Sequence, residues 1–341
     1  MDALAGEGRT NMSTDTGDFW RSRTVLVTGA NGFLGAHLTE ALVQRNARVV
    51  GLLRDYPAES YFHCAGLQER ICVVEGDLAD AGLMERALNE HEVDTVLHVA
   101  AQAIIGAANR APLSTFESNI RGTYTLLEAC RRVGSVQRIV VASSDKAYGR
   151  QEHLPYTEEA PLEGIYPYDA SKACADILAR SYHATFGLGV AVTRCANLYG
   201  PGDLNYSRIV PGTVKSVLEG QRPIIRSDGT PERDYLYIGD AVTAYLALAE
   251  AIGRDDVAGG AFNFGTGRPV SVLELVRMIL ETCGRADLEP EVLGTAGHGE
   301  IDRQFLSADK ARRVLGWEAR TPLAEGLERT CRWYREHLRT Q

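Results

Sequence analysis

The segment VLVTGANGFLGAHL, running from Val25 to Leu38, restricts the fold more than any other part of the chain. An apolar, β-branched run ends at Thr28; glycines follow at 29, 32 and 35, and apolar residues then recur at helical spacing. A strand that turns sharply into a helix needs glycine where the backbone reverses. It needs glycine again where the backbone approaches a ligand, and where helix and strand pack closely. The first turn of such a helix presents free N–H groups and the positive end of its dipole, which suits a phosphate. The strand–turn–helix setting favours a dinucleotide cradle over a ligand-free glycine turn. Gly29, Asn31, Gly32, Phe33, Leu34 and Gly35 are its expected contacts.

The first half continues the same rhythm. Short apolar runs at 24–28, 48–53, 71–76, 94–101, 138–143 and 189–194 alternate with helical patterns, including one within 112–133 and one over 168–186. Apolar runs without polar alternation, joined by helices, predict a parallel sheet covered on both faces. Right-handed crossovers make this a doubly wound α/β (Rossmann) fold. After about residue 197, Gly/Pro punctuation increases, as in YGPGD, SDGTPERD and LGTAGHG, and the βαβ order is lost. The expected organisation is a tail over 1–18, a dinucleotide-binding domain over 19–196, and a smaller α/β substrate lobe occupying most of 197–341.

Composition narrows the function. The chain has 341 residues, 45% of them hydrophobic, enough for a substantial core. Its net charge of −9 argues against a nucleic-acid partner, which needs a basic footprint. No apolar run approaches membrane-spanning length, and the first residues lack the apolar core of a secretory signal. Seven scattered cysteines with no CxxC spacing read as reduced core thiols in a cytoplasmic protein, and no metal-ligand pattern is present.

Further candidates lie at strand ends. The second strand closes in LLRD, where Arg54 suits a 2′-phosphate and an acid suits a ribose; NAD and NADP both remain open. Asp77 in EGDL, followed by Leu78, has two readings, an adenine contact or a turn aspartate. The small residues of Ala100-Ala101-Gln102 permit close approach of a cofactor. The fifth strand ends in Ser143-Ser144-Asp145-Lys146, an unusual set of hydroxyls and charges for the end of a core strand. Tyr168 and Lys172, four apart, share one helix face. A neighbouring ammonium favours the phenolate and lets tyrosine accept an alcohol proton.

Together, TGxxGxxG, the AAQ after the fourth strand and Tyr-x-x-x-Lys resemble the extended short-chain dehydrogenase/reductases of the NAD-dependent sugar-nucleotide epimerase/dehydratase family. The resemblance runs from about residue 19 to residue 333. Within that family, SSDKAYG, YPYDASKACADIL and SADKARRVLGW are similar to the CDP-glucose 4,6-dehydratase group, whereas RDYLYIGD is closer to the general sugar-nucleotide pattern. The resemblance implies roles. Ser144 would bond the sugar O4, Tyr168 would be the base at O4, and Lys172 would hold the nicotinamide ribose and lower the Tyr168 pKa. Asn119 would lie by the cofactor. Asn197 would approach the sugar diphosphate, which Arg233 would pair, with Arg208 or Arg303 assisting.

The implied reaction oxidises C4, eliminates water across C5–C6 and reduces C6, giving a 4-keto-6-deoxy sugar. Elimination needs an acid–base pair beyond Tyr168 and Lys172, and Asp145 and Lys146 are the residues for it. The alternatives are a 4-epimerase, a nucleotide-uronate decarboxylase and a non-catalytic dinucleotide sensor. Resemblance also implies a homodimer.

Overall fold

The computed structural model describes residues 16–57, 59–295 and 301–339. The strands β1 (Thr24–Thr28), β2 (Arg48–Leu53), β3 (Cys72–Glu75), β4 (Thr95–His98), β5 (Arg138–Ala142) and β6 (Val190–Cys195) occupy the six expected runs. A seventh strand, Ala261–Phe264, completes the central sheet. The order is Ala261–Phe264, β6, β5, β4, β1, β2, β3, and every pair is parallel.

Alternate strand residues feed two cores. Val25 and Val27 face a cluster with helices Phe33–Gln44 and Ile238–Ala251, while Leu26 faces one with Ala81–Glu90 and Gly122–Val133. Burial on both faces explains the continuous apolar runs. Strand order reverses between β1 and β4, and such sheets bind ligands beyond the carboxyl ends at that crevice.

Two boundaries differ from expectation. Part of the chain after 197 lies outside the smaller lobe: helix Ile238–Ala251 and strand Ala261–Phe264 return to the central sheet. The sequence hides this because AFNF is a four-residue run set among glycines, and its pairing with β6 is non-local. At the other end, a helix starts at Thr16, inside the expected tail, and Trp20 is fully buried with its indole N–H donating to Glu250 Oε1 at 2.6 Å. Residues 1–15 of that tail lie outside the described residues.

The smaller lobe has its own core from helices Ile209–Leu218, Val272–Thr282 and Leu323–Arg339. Ser271 caps the second of these, its side chain accepting from the Glu274 N–H at 3.2 Å, as the serine of a Ser-x-x-Glu capping box does. In a three-stranded sheet, Glu232–Arg233 lies between Val270–Ser271 and Arg303–Gln304. Phe33 and Leu34 pack against the lobe's core, so the glycine-loop helix touches both parts of the molecule. No described helix is long and apolar enough to cross a membrane.

Candidate active site

The glycine loop has the geometry its spacing predicts. Gly29 sits at φ +69°, where a Cβ would lie 2.9 Å from Ala100 Cα; one on Gly35 would lie 2.0 Å from the Gly29 carbonyl oxygen. Gly32 is the N-cap of helix Phe33–Gln44 and no side chain caps it, so the helix's first N–H groups stay open to an anion. Across the crevice, the Thr28 hydroxyl accepts from the Val99 and Ala100 N–H groups at 3.2 and 3.1 Å, holding the turn after β4 beside Gly29. This cradle fits a dinucleotide pyrophosphate.

Other cofactor candidates are engaged as follows. Asn31 Nδ2 donates to the Asp55 carbonyl at 2.6 Å, and Arg54 pairs with the Asp55 carboxylate at 2.8 Å on the surface. Asp77 Oδ1 accepts from the Ala79 N–H at 2.8 Å, which is the turn reading of that residue. Leu78 is buried against Gly122. The Asn119 side chain, expected by the cofactor, is buried as a bracket. Its Oδ1 accepts from the Gln102 N–H at 2.7 Å, and its Nδ2 donates to the Gln102 carbonyl and to Ser171 Oγ at 2.9 Å. It sits in a π-helical turn, Glu117–Arg121, that interrupts the expected long helix. Asn119 thereby ties the Ala100–Ala101–Gln102 loop to the helix that carries Tyr168.

The second group of residues surrounds the end of β5. Ser144 caps a short 3₁₀ turn, Asp145–Tyr148, its Oγ accepting from the Lys146 N–H at 3.2 Å and donating to Asp145 Oδ1 at 3.0 Å. Asp145 is 2% exposed; its Oδ2 makes no hydrogen bond among the described residues and lies 3.8 Å from Lys146 Nζ. Tyr168 and Lys172 come from the first turns of helix Pro167–Phe186. Ser143 Oγ donates to the Lys172 carbonyl at 3.1 Å, locking that helix to the strand end.

Burial pushes the Tyr168 phenol up to about 12, with the Ser144 hydrogen bond and the Arg208 charge pulling the other way. Lys172 is engaged at the end of β5. Its ammonium donates to the Ala142 carbonyl at 2.8 Å, and burial lowers its pKa to about 8. The neighbouring His98 is held at about 3 by burial and by the Lys172 charge, between the hydroxyls of Thr28 (2.8 Å) and Thr123 (2.9 Å).

The lobe candidates form a polar rim. Arg208 pairs with Asp203 at 3.0 Å while its charge reaches Tyr168. Arg233 Nη1 donates to the Glu232 carbonyl at 2.9 Å; Arg303 pairs with the Glu232 carboxylate and lies over the Phe305 ring. Asn197 Nδ2 donates to the Asp234 carbonyl at 3.1 Å. Two residues escaped the sequence reading. Asp169, 7% exposed, follows Tyr168, feels the charges of Asp145 and Lys146, and is pushed up to about 6 by burial; it lay within the Tyr-x-x-x-Lys motif. Gln304, fully buried, bonds both Asp145 and Lys146 from the lobe, and no local pattern marks it. Among the described residues, no group of three or more His, Cys, Asp or Glu side chains is placed to hold a metal.

Known proteins resemble this chain over nearly its whole length. The model of the NAD dependent epimerase/dehydratase family matches residues 25–265. A dTDP-glucose 4,6-dehydratase of Streptomyces antibioticus is 34% identical over 321 residues, covering 92% of each chain. A CDP-glucose 4,6-dehydratase of Salmonella typhimurium is 28% identical over 335 residues, covering 94% of this chain and 93% of its own. A UDP-glucose 4-epimerase structure from Thermotoga maritima, solved with UDP-glucose, superposes with a TM-score of 0.84 at 29% identity, covering 92% of this chain and 99% of its own. The match spans both the glycine cradle and the Tyr168/Lys172 helix, and the chain therefore belongs to the NAD dependent epimerase/dehydratase family, as an NAD-dependent enzyme.

Proposed function

We propose that this chain is a nucleoside-diphosphate-hexose 4,6-dehydratase. The observation that carries the reading is the Asp145–Lys146 pair: a buried carboxyl with one oxygen free of hydrogen bonds, 3.8 Å from an ammonium, beside the Ser144–Tyr168 hydrogen bond. Epimerisation at C4 needs only proton and hydride transfer at C4, so an acid–base pair beside that site would be idle. Elimination across C5–C6 requires one group to take the C5 proton and another to protonate the departing O6.

When bound, NAD would supply the hydride chemistry, taking a hydride from C4 and, once reduced, returning it to C6. Gly29, Gly32 and Gly35 would hold its pyrophosphate, and Ala100 to Gln102 would line the opposite wall. Tyr168 takes the O4 proton as hydride leaves C4. Substrate and cofactor charge must lower its pKa from the ligand-free value of about 12, and Ser144 already favours the phenolate. Lys172 orients the nicotinamide ribose. The resulting 4-ketone acidifies C5; Lys146, in its neutral amine form, takes the C5 proton, and Asp145, in its protonated form, gives its proton to the departing O6. Arg233, with Arg208 and Arg303, would meet the diphosphate. CDP remains the proposed base group from the resemblance, with dTDP its rival, because the dTDP relative is 34% identical and the CDP relative 28%. A cytoplasmic homodimer completes the reading.

The test is incubation of the NAD-loaded chain with CDP-, dTDP-, UDP- and GDP-glucose and UDP-glucuronate. The expected product has lost water, and Asp145→Asn and Lys146→Met each slow its formation about 100-fold or more. An isomeric sugar would establish an epimerase, loss of carbon dioxide a decarboxylase, and cofactor binding without turnover a sensor. Wild-type rates in both variants would refute the roles assigned to the pair.

A further inference from the structure

We propose that Gln304 is a positioning residue: its buried amide clamps the Asp145–Lys146 turn from the lobe and sets where the Lys146 side-chain nitrogen stands during elimination. The proposal rests on the dehydratase reading and adds to it a group outside the catalytic segment. Gln304 is fully buried and lies 158 residues from Lys146, on the lobe strand Arg303–Gln304. A buried amide must satisfy both its ends. Here Oε1 accepts from Lys146 Nζ, while Nε2 donates to the Asp145 carbonyl at 2.9 Å. One planar group therefore holds two consecutive residues of the turn.

The chemistry of an amide matters at this position. A carboxylate would pair with Lys146 and hold it protonated; an amide oxygen accepts from the nitrogen in either protonation state and so orients it while leaving it able to lose and take a proton. The 3.8 Å separation of Lys146 Nζ from Asp145 Oδ2 exceeds the roughly 2.8 Å of a charge-assisted hydrogen bond. The Gln304 bond holds the ammonium at that distance, so Asp145 is not tied up by its neighbour. Gln304 also pairs in register with Arg233, and Arg303 with Glu232. The strand pair that would receive the diphosphate is thus the one that grips the catalytic turn. The charged groups near Lys146 include Asp145 on its own turn and Asp169 from helix Pro167–Phe186, with Arg233 beside Gln304 on the lobe.

Two variants and two readouts test this. With NAD and the substrate identified from the panel, Gln304→Leu is expected to lower kcat by about 10–100-fold with KM within about two-fold, as for a misplaced reacting group. Gln304→Glu restores an acceptor to Lys146 but adds negative charge, so the limb of the pH profile that reports Lys146 moves to higher pH. In the ligand-free chain, competitive acetylation resolved lysine by lysine shows the labelling midpoint of Lys146 rising in Gln304→Glu, with Lys215 unchanged. A wild-type kcat in Gln304→Leu, or an unmoved Lys146 midpoint in Gln304→Glu, overturns the proposal. Failure of the dehydratase reading looks different: the wild-type chain turns over a nucleotide sugar without losing water, and the labelling result still decides the clamp.

Discussion

Lys172 shows how a single residue can serve the site at the expense of the fold. It is 6% exposed, and desolvation lowers its pKa from 10.5 to about 8. Between these values the unfolded chain binds more protons than the folded one, so this group makes stability rise with pH across that window. Below about pH 8 the ammonium is charged in both states and its burial penalty is fully present. Lys172→Met removes the penalty and the Ala142 hydrogen bond, which is a pH-independent loss. Thermal unfolding of the ligand-free proteins should show the variant's Tm, relative to wild type, highest near pH 7 and falling steadily to about pH 10. Parallel curves would mean that Lys172 is buried without penalty. The residue itself was legible in the sequence because Tyr-x-x-x-Lys is a local pattern. Its grip on the Ala142 carbonyl was not legible, since that depends on where β5 ends.

At the scale of elements, helix Pro167–Phe186, strand β6 and the catalytic turn are joined through Arg194. Its guanidinium, 1% exposed, makes two hydrogen bonds to Asp176, at 2.8 and 3.0 Å, and donates to the Tyr148 hydroxyl at 2.8 Å. Removing one partner of a buried pair leaves an uncompensated charge. Arg194→Met should therefore destabilise the chain by about 3–5 kcal/mol in urea unfolding. Arg180, 3.8 Å from Asp176 on the same helix, draws the loss toward the lower figure. Arg194→Met with Asp176→Leu should recover most of the stability, because no orphaned charge remains. If the double variant is no better than the single one, the pair is held for packing and not for charge balance. The elements were largely legible: six strands and the glycine-loop helix lie where apolar runs and glycine spacing put them. The bonds between them were not, because Arg194 and Asp176 belong to different periodic patterns and neither pattern names its partner. Gln304 was hidden for the same reason, in a two-residue strand with no periodicity.

For the whole molecule, the return of the chain to the central sheet decides what can fold alone. The sequence suggested a break near residue 197, where composition and rhythm change. The structure shows the chain leaving the sheet there, building part of the lobe, and coming back through helix Ile238–Ala251 and strand Ala261–Phe264 before completing the lobe. That helix contributes Ala241, Val242, Ala244, Tyr245, Leu246, Leu248 and Ala249 to the core that covers one face of the sheet. A fragment ending at residue 196 would expose this apolar face and leave β6 as a bare edge, both of which promote association. It should fail to give a cooperative thermal transition and should aggregate at concentrations where the full chain stays monodisperse by light scattering. A fragment ending at residue 265 restores the helix and the strand but still lacks Gln304 and Arg303. It should regain sheet structure and bind NAD weakly while showing no dehydration. A cooperative, monodisperse 1–196 fragment would mean that the sheet is complete without its seventh strand, and that the two-domain division read from the sequence is the physical one.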